Sequence, residues 1–409
     1  MTAAPLNQTY DWIVVGAGIT GAALAYELAA QKFSVLLLEQ QADLRAGATA
    51  YSYGGVPYWA GTTPLLQQLG REGLERHRQL PEELDAPTEF REIDLLLTVA
   101  PGGDPVAIAD NYAACAIPPR WVSATEAKAL EPLLDRDAIA GALVARHGHI
   151  HPLLTAKAYI QACQRLGGEL AIAKVTDFIA TESGRIQGAI ARPAGSSATV
   201  TYYSKNVAVA AGGYSRQLLQ AAGIPLPLYF THAEMIETPP VSLELRTLVM
   251  PASMGRLAME QQTTTPDQEA FWQRAEAGPT ATVLEAGAIQ FQDGSLRLGQ
   301  ISRVHPNPTA IADPAESEAA LRDRIGQILP DLKSLSGTWH HCLVAFSQDS
   351  LPLIGPIPDI KGIHLFSSFS SPLVLVPPLA QRFARNAVGF TDDLLPQLSP
   401  ARFLQDNAL

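Results

Sequence analysis

The residues with the clearest chemical role are three glycines near the start of the chain and a glutamate that follows them. Gly16, Gly18 and Gly21 form a GxGxxG turn, and Glu39 ends the next apolar run. The first glycine of such a turn permits a tight bend, the second lets a pyrophosphate approach the backbone, and the third lets helix and strand pack closely. Glu39 could accept hydrogen bonds from ribose hydroxyls, and its charge disfavours a 2′-phosphate. The spacing predicts a dinucleotide site and leaves open whether it binds NAD or FAD.

These residues need a strand, a helix and a second strand to position them, and the sequence supplies all three. The apolar run 13–15 predicts a buried parallel strand, an Ala- and Leu-rich stretch to about 30 predicts a helix, and 34–38 predicts the second strand. The free N–H groups and dipole at the start of the helix would stabilise a diphosphate. The alternative is a glycine turn with a purely structural role.

Helical and strand-like segments continue along the rest of the chain. Helices are predicted over 64–80, 155–166 and 314–329, and strands over 89–100, 170–175, 186–191, 199–204 and 206–211. We expect short strands and Pro-rich turns over 224–310, with Asp293-Gly294 as a hairpin signal. The segment 340–409 predicts further strands and a final helix.

Length and composition limit the class of protein. A chain of 409 residues suggests two or three domains at roughly 100–200 residues each. Hydrophobic residues make up 47% and charged residues 17%, which excludes a mainly disordered chain. The formal net charge is −11, so a nucleic-acid partner is not expected.

The cysteine content, the first residues and the uncharged stretches indicate in which cellular compartment the protein is expected. Three cysteines cannot all pair within the chain, which favours a reducing, cytoplasmic compartment. The first ten residues contain no Lys or Arg, so we expect no secretion leader. The uncharged stretch 362–381 contains four serines and three prolines, so we expect no integral membrane segment.

Three histidines at alternate positions could form a metal site. His147, His149 and His151 would share one face of a strand. No nearby Asp, Glu or Cys completes a ligand set, so we expect no metal here.

Four segments together resemble the D-amino-acid oxidase superfamily of FAD enzymes, in its sarcosine oxidase and glycine oxidase branch. They are the unit 16–39, the loop Ala46-Gly-Ala-Thr49, the strand and turn Val207-Ala-Val-Ala-Ala-Gly-Gly213, and Asp349-Ser-Leu-Pro352-Leu-Ile-Gly355. The resemblance implies an α/β protein in which a Rossmann-like FAD-binding domain (1–85, 145–220 and 335–409) joins an antiparallel-sheet substrate domain (86–144 and 221–334).

The resemblance also implies that FAD, rather than NAD, is the cofactor. The residues expected to contact it are Gly16, Gly18, Ile19, Thr20, Gly21, Glu39, Gln40, Ala48, Thr49, Val175, Ala211, Gly212, Cys342, Gly355, Ser370, Ser371 and Leu373. Cys342 stands at the spacing from Asp349 at which sarcosine oxidases link sulfur to the flavin 8α-methyl, so FAD could be covalently attached. The alternative for Cys342 is a buried residue that fills the core.

The branch's usual substrate-binding cations are missing from this sequence. Val344 and Leu375 occupy the two positions where the branch has a basic residue, and no lysine lies between Lys205 and Lys333. Ser370 and Ser371 replace a Gly-rich turn; Ser371 could still cap the final helix, with Pro372 at its first position.

The catalytic residues therefore stay unknown, and the candidates are weak. Arg256, Arg297 or Arg303 could bind a substrate carboxylate or could lie at solvated strand ends. Tyr53, in an aromatic loop, could wall the active site or simply pack. His341 could lie over the flavin or could cap a core edge.

Together these features predict an FAD-dependent oxidoreductase that oxidises a C–N bond of an amine or amino acid by hydride transfer to flavin N5. The missing lysine makes an acceptor other than O₂ more plausible. One alternative is a 2-hydroxy-acid dehydrogenase of the same superfamily, and another is a flavin-binding structural or regulatory protein without turnover. The sequence leaves open the substrate, the electron acceptor and the oligomeric state.

Overall fold

The computed structural model describes residues 8–45, 47–274, 276–280 and 282–403. The strands of this part are β1 (Thr9–Val15), β2 (Val35–Glu39), β3 (Gly55–Val56), β4 (Arg91–Val99), β5 (Arg120–Ser123), β6 (Gly141–His149), β7 (Glu169–Ala180), β8 (Ile186–Pro193), β9 (Val200–Val209), β10 (Leu228–Glu237), β11 (Leu248–Pro251), β12 (Thr282–Gln290), β13 (Leu296–Val304), β14 (Thr338–Ser347), β15 (Leu353–Pro356) and β16 (Ile363–Ser367). The helices are α1 (Ile19–Ala30), α2 (Pro64–Glu83), α3 (Pro105–Asp110), α4 (Ala124–Leu130), α5 (Pro152–Arg165), α6 (Ser215–Ala221), α7 (Gly255–Gln262), α8 (Glu269–Trp272), α9 (Pro314–Ile328) and α10 (Pro372–Ala387).

The first sheet has a parallel centre that carries the dinucleotide unit. Its parallel strands run in the order β7-β2-β1-β9-β16. Strand β15 pairs antiparallel with β16, and β8 pairs antiparallel with both β7 and β9. All five residues of β2 are buried, as expected of a central parallel strand covered on both faces. Helix α1 packs between this sheet and helices α5 and α10.

The second sheet is mostly antiparallel and follows the order β14-β10-β13-β12-β11-β4-β6-β3, with β5 paired to β6. Only the β11–β4 pair among these described strands is parallel. The predicted hairpin at Asp293-Gly294 joins β12 to β13, and Gly294 has a φ of +87° there. Helix α9 packs against β12 and β13 and buries Leu321 and Ile325 in this domain's core.

The strand pairings suggest boundaries that differ from the predicted domain boundaries. The division into domains itself stays a prediction. Strand β14 lies within the segment 335–409 that was assigned to the FAD-binding domain, yet it pairs with β10 in the second sheet. The end of β6, within the segment 145–220, also pairs in the second sheet. A boundary drawn by sheet membership would therefore move 338–347 and 145–149 to the substrate domain.

Two helices lie where only strands and turns were expected. Helices α7 and α8 both fall within 224–310. Helix α7 follows Met254 and helix α8 follows Gln268, and neither residue makes a side-chain capping hydrogen bond. Ser253 and Asp267 each lie one residue before these N-cap positions, so the usual Ser, Thr or Asp signal is displaced from the helix start.

Among the described residues, no helix is both long enough and apolar enough to cross a membrane. The uncharged stretch before Arg382 forms β16, a turn and the first part of α10, which contains Pro377 and Pro378.

Candidate cofactor and active site

The turn between β1 and α1 is shaped by the three glycines. Gly16 has a φ of +100°, and a Cβ there would lie 2.7 Å from the Ala210 carbonyl oxygen. A Cβ on Gly21 would lie 1.8 Å from the Gly16 carbonyl oxygen. Gly18 differs, because a Cβ at that position would meet only Thr49 Oγ1, at 3.0 Å. Gly16 and Gly21 are therefore required for packing, whereas Gly18 leaves space above the helix.

The start of α1 is suited to binding an anion. Gly18 provides no side-chain cap, and the first turn contains no acidic residue. Thr49 Oγ1 accepts a hydrogen bond from the Ile19 N–H at 3.0 Å and so ties the following loop to the helix. The remaining N–H groups and the helix dipole can stabilise a diphosphate. Of the predicted loop Ala46-Gly-Ala-Thr49, Ala46 lies outside the described residues.

Glu39 lies at the end of β2, next to the glycine turn. Its side chain is buried, with 7% of the residue exposed. One carboxylate oxygen accepts from the Ala17 N–H at 2.8 Å and the other from the Gln41 N–H at 3.0 Å. Each carboxylate oxygen has a second lone pair, so Glu39 can still accept from a ribose. The two backbone bonds fix the carboxylate beside the glycine turn.

A cavity of about 760 Å³ extends from this turn to the second sheet. Most of the predicted cofactor residues line it: Gly16, Gly18, Ile19, Thr20, Glu39, Gln40, Ala48, Thr49, Val175, Ala211, Gly212, Cys342, Ser370, Ser371 and Leu373. Gly21 and Gly355 do not line the cavity. Gly21 packs against Gly16, and Gly355 lies in β15 with a φ of +119°. The contact of Gly21 and Gly355 with the cofactor stays a prediction.

The start of α10 forms one end of the cavity. Ser371 precedes Pro372 as predicted, but its side chain makes no capping hydrogen bond. Ser370 instead donates its hydroxyl to the Ser350 carbonyl oxygen at 2.9 Å, which ties the turn to the loop before β15. The N-terminus of α10 points its dipole toward the cavity wall, where it can stabilise negative charge on a ligand.

Cys342 lies on β14, opposite Ala233 of β10, and lines the same cavity. Burial raises the pKa of its thiol to about 12, so sulfur carries its proton at neutral pH. Covalent attachment of a cofactor to Cys342 stays a prediction.

A group of polar side chains from β12, β13, the start of α7 and the loop before β3 lies on the cavity wall. Tyr53, Arg256, Glu285 and Gln300 all line it. Glu285 accepts a hydrogen bond from the Arg256 N–H at 3.3 Å, at the start of α7. The Arg256 guanidinium lies 3.7 Å from a carboxylate oxygen of Glu260. Burial, and then the Glu285 charge, raise the pKa of Tyr53 far above its usual value, so its hydroxyl stays protonated.

The other predicted catalytic candidates are engaged away from the cavity. Arg303 donates to Glu234 at 2.8 Å, and Arg297 forms an ion pair with Glu237 at 3.0 Å. His341 shares a 2.8 Å hydrogen bond with His232. None of these three side chains lines the described cavity, and catalytic roles for Arg303 and His341 stay predictions.

The histidines at alternate positions have different partners, although His149 and His151 both pack against the Phe291 ring. His147 lines the cavity and accepts a hydrogen bond from the Trp59 indole at 3.0 Å, whereas His149 packs against Phe291. His151 leaves the strand and accepts from the Leu154 N–H at the start of α5. Within the described ranges, no group of three or more His, Cys, Asp or Glu side chains is placed to bind a metal ion.

Sequence reasoning missed Glu285 and Gln300. Glu285 is the one acidic residue in the β12 sequence TVLEAGAIQ, which is otherwise small or apolar apart from its ends. A charged residue inside a buried strand is an uncommon pattern and was the available signal. No comparable signal marks Gln300.

The described residues fit a dinucleotide such as FAD. The start of α1 with no cap from Gly18, the open space at Gly18 and the acceptor at Glu39 are three separate features that suit a pyrophosphate and a ribose. The cavity continues past this cradle to Cys342 and the start of α10, which leaves room for a second half of the dinucleotide.

Comparison with curated proteins finds distant relatives. The chain is 23% identical over 380 residues to 4-methylaminobutanoate oxidase (formaldehyde-forming) of Paenarthrobacter nicotinovorans; the match covers 91% of this chain and 43% of that protein. The chain thus spans less than half the length of that relative. It is 25% identical over 302 residues to glycine oxidase of Geobacillus kaustophilus, covering 69% of this chain and 77% of that protein.

The fold matches solved structures over nearly the whole chain. The crystal structure of glycine oxidase from Geobacillus kaustophilus superposes with a TM-score of 0.74 at 20% identity, covering 97% of this chain and 99% of that one. A family match, described as FAD dependent oxidoreductase, extends over residues 11–385. With the glycine turn, Glu39 and the cavity in place, this match shows that the chain belongs to the DAO family of FAD-dependent oxidoreductases.

Proposed function

We propose that this protein oxidises a C–N bond of an amine or amino acid. The observation that carries the proposal is that one cavity joins the cradle at α1 to the polar group of Arg256, Glu285 and Tyr53 at the second sheet's end of the cavity. A substrate held at that group would lie in the same cavity as the cofactor. When bound, FAD supplies the two-electron acceptor for such an oxidation.

The cavity residues would position the substrate and keep water away. Leu248, Met250 and Leu257 also line the cavity, so a bound molecule would exchange part of its contact with water for apolar contacts. In such a site each remaining hydrogen bond and charge acts more strongly than in water. Tyr53 can donate from its protonated hydroxyl, whose distance to the Gly287 carbonyl oxygen is 3.5 Å. Arg256 and Glu285 offer one charge of each sign.

The relatives support an amine as the reacting group. Glycine and 4-methylaminobutanoate are both amino acids, and both relatives are named as their oxidases. Their low identity leaves the substrate of this chain open.

Lys174 is the lysine that lines the cavity, and it lies beside Val175 and Thr176 on β7, away from the polar group. That placement supports an electron acceptor other than O₂.

The three free cysteines support a reducing cellular compartment for this protein. Cys115, Cys163 and Cys342 are free and buried. Free, buried thiols are typical of cytoplasmic proteins, so we infer that compartment for this chain. The net charge of −11 supports a small-molecule substrate over a nucleic-acid partner.

An anaerobic substrate screen tests the proposal. The FAD-loaded protein would be mixed with primary amines, N-methylamines, α-amino acids and 2-hydroxy acids, and loss of the visible flavin absorbance would be recorded. We expect bleaching by an amine or amino acid. Bleaching by 2-hydroxy acids alone would favour the alternative oxidation of a hydroxyl group, and bleaching by none of them would contradict the proposal.

A further inference from the structure

Glu285 is a buried carboxylate that faces the cavity without a cationic partner. The residue is 9% exposed. One of its oxygens accepts from the Arg256 N–H at 3.3 Å. In the part of the chain that the structure describes, the other oxygen has no hydrogen-bond donor, and no Lys, Arg or His group lies within 4.0 Å of either oxygen. Among the described residues, the hydrogen-bond partner of Glu285 is therefore one backbone N–H, and its second oxygen is free to accept from a ligand in the cavity.

The Arg256 side chain, which lines the same cavity, already has a carboxylate partner. Arg256 directs its guanidinium to Glu260, at 3.7 Å, and Glu260 also accepts from the Thr231 hydroxyl at 2.7 Å. Arg256 and Glu260 thus form a pair of opposite charges beside the cavity, and Glu285 has no ion-pair partner among the described residues. A buried carboxylate is costly unless a cation or several hydrogen bonds stabilise it.

We propose that Glu285 binds the ammonium group of the substrate, so that this end of the cavity selects cations over anions. The inference rests on the proposed function, because an amine is protonated at neutral pH before it reacts. An ammonium group supplies both the charge and the N–H donors that the free oxygen of Glu285 lacks. The competing explanation is purely structural, in which Glu285 serves only to hold the start of α7 through the Arg256 N–H.

Two probes of the same shape and opposite charge separate these explanations. tert-Butylammonium and pivalate each present a tert-butyl group, one with an ammonium and the other with a carboxylate. tert-Butylamine has no C–H next to nitrogen, so it can bind but cannot be oxidised. Calorimetric titration of the FAD-loaded protein with each probe measures recognition without turnover, so the result is independent of whether any amine reduces the flavin.

We expect the wild-type protein to bind tert-butylammonium at least about tenfold more tightly than pivalate. In Glu285→Gln, which keeps an acceptor for the Arg256 N–H, tert-butylammonium should bind about 10- to 100-fold more weakly. Glu244→Gln is the matched control, because the Glu244 side chain is 77% exposed and its replacement removes the same charge at the surface. The control should bind both probes as the wild type does.

Three results would overturn the inference: equal affinity of Glu285→Gln and wild type for tert-butylammonium, preference of the wild type for pivalate, or binding of neither probe. Should Glu285→Gln fail to fold or to retain FAD, Glu285→Asp keeps the charge and should keep the preference for the cation. The wild-type comparison of the two probes stands without any variant.

Discussion

Gly21 and Gly16 touch directly, since a Cβ on Gly21 would fall 1.8 Å from the Gly16 carbonyl oxygen. Helix α1 therefore meets the end of β1 with no space for a side chain at position 21. Earlier in the same turn, Gly18 has open space around its missing side chain, apart from Thr49 Oγ1. The same motif thus contains a glycine required for packing and a glycine that leaves room for the ligand.

This difference predicts opposite effects of two valine substitutions. Gly18→Val should fold, because Gly18 has a φ of −62° that a side chain tolerates, but it should lose most of its FAD because the side chain occupies the pyrophosphate's approach. Gly21→Val should instead lower the free energy of unfolding by about 1–3 kcal/mol or more through overpacking. Flavin absorbance per protein and urea unfolding measure the two effects. Full FAD content in folded Gly18→Val would show that the cofactor does not bind at this turn.

Replacing Glu39 should weaken FAD binding without removing it. Loss of a hydrogen bond to a charged acceptor costs about 1.5–3 kcal/mol, or roughly 10- to 150-fold in affinity. We expect this range for Glu39→Ala, measured by titrating FAD into the apo-protein. Glu39→Gln is the control, because it keeps an acceptor for the Ala17 or Gln41 N–H and removes the charge. An unchanged dissociation constant in Glu39→Ala would exclude the ribose contact; for a covalent flavin, incorporation yield replaces the titration.

Cys342 provides a test of covalent attachment. Covalent attachment through Cys342, which is inferred from its spacing to Asp349, predicts that acid-precipitated wild-type protein stays yellow and that its mass exceeds the chain by one FAD. Cys342→Ser should lose both properties. Cys163→Ser is the control, because Cys163 is also buried but lies on α5, outside the cavity lining. A colourless wild-type pellet under a yellow supernatant would show that Cys342 only fills the core.

His77 predicts a loss of stability in acid. It is fully buried, donates from Nε2 to the Leu373 carbonyl oxygen at the start of α10, and has no partner for Nδ1 among the described residues. Burial lowers its pKa to about 4, below the value of about 6.5 in an unfolded chain. The unfolded state therefore gains the proton first, so the stabilisation is present above pH 6.5 and is lost as pH falls toward 4.

The size of this effect is about 2 kcal/mol between pH 7 and pH 5. His77→Gln keeps a donor near the position of Nε2 and removes the titration. Urea unfolding of both proteins measures the free energy of unfolding at the two pH values. The decrease in this free energy from pH 7 to pH 5 should be smaller by about 2 kcal/mol in the variant. An identical decrease in both proteins would mean that folding does not lower the pKa of His77, so that the folded protein takes up the proton as readily as the unfolded chain.

The sequence predicted the features that depend on local patterns. Gly16, Gly18 and Glu39 mark the cradle through spacing alone, Asp293-Gly294 marks the hairpin between β12 and β13, and Pro372 marks the start of α10. The family resemblance and the FAD cofactor were confirmed by the match over residues 11–385.

The substrate end could not be predicted in the same way, because it depends on contacts between distant strands. Arg303 is neutralised by Glu234, which is 69 residues away in the chain and lies on the neighbouring strand β10. His341 is held by His232 across the β10–β14 pair. Glu285 was overlooked because its free oxygen becomes evident only when the sheet shows which side chains surround it.

The proposed function requires that bound FAD and an amine react within one cavity. The most direct measurement is an anaerobic single turnover, in which an amine identified by the bleaching screen is added in known amounts to the FAD-loaded protein. We predict that one equivalent of amine removes the visible absorbance of one FAD and gives one equivalent of carbonyl product after hydrolysis of the imine. Bleaching without a carbonyl product, or a protein that binds FAD but is reduced by no amine or amino acid, would contradict this function.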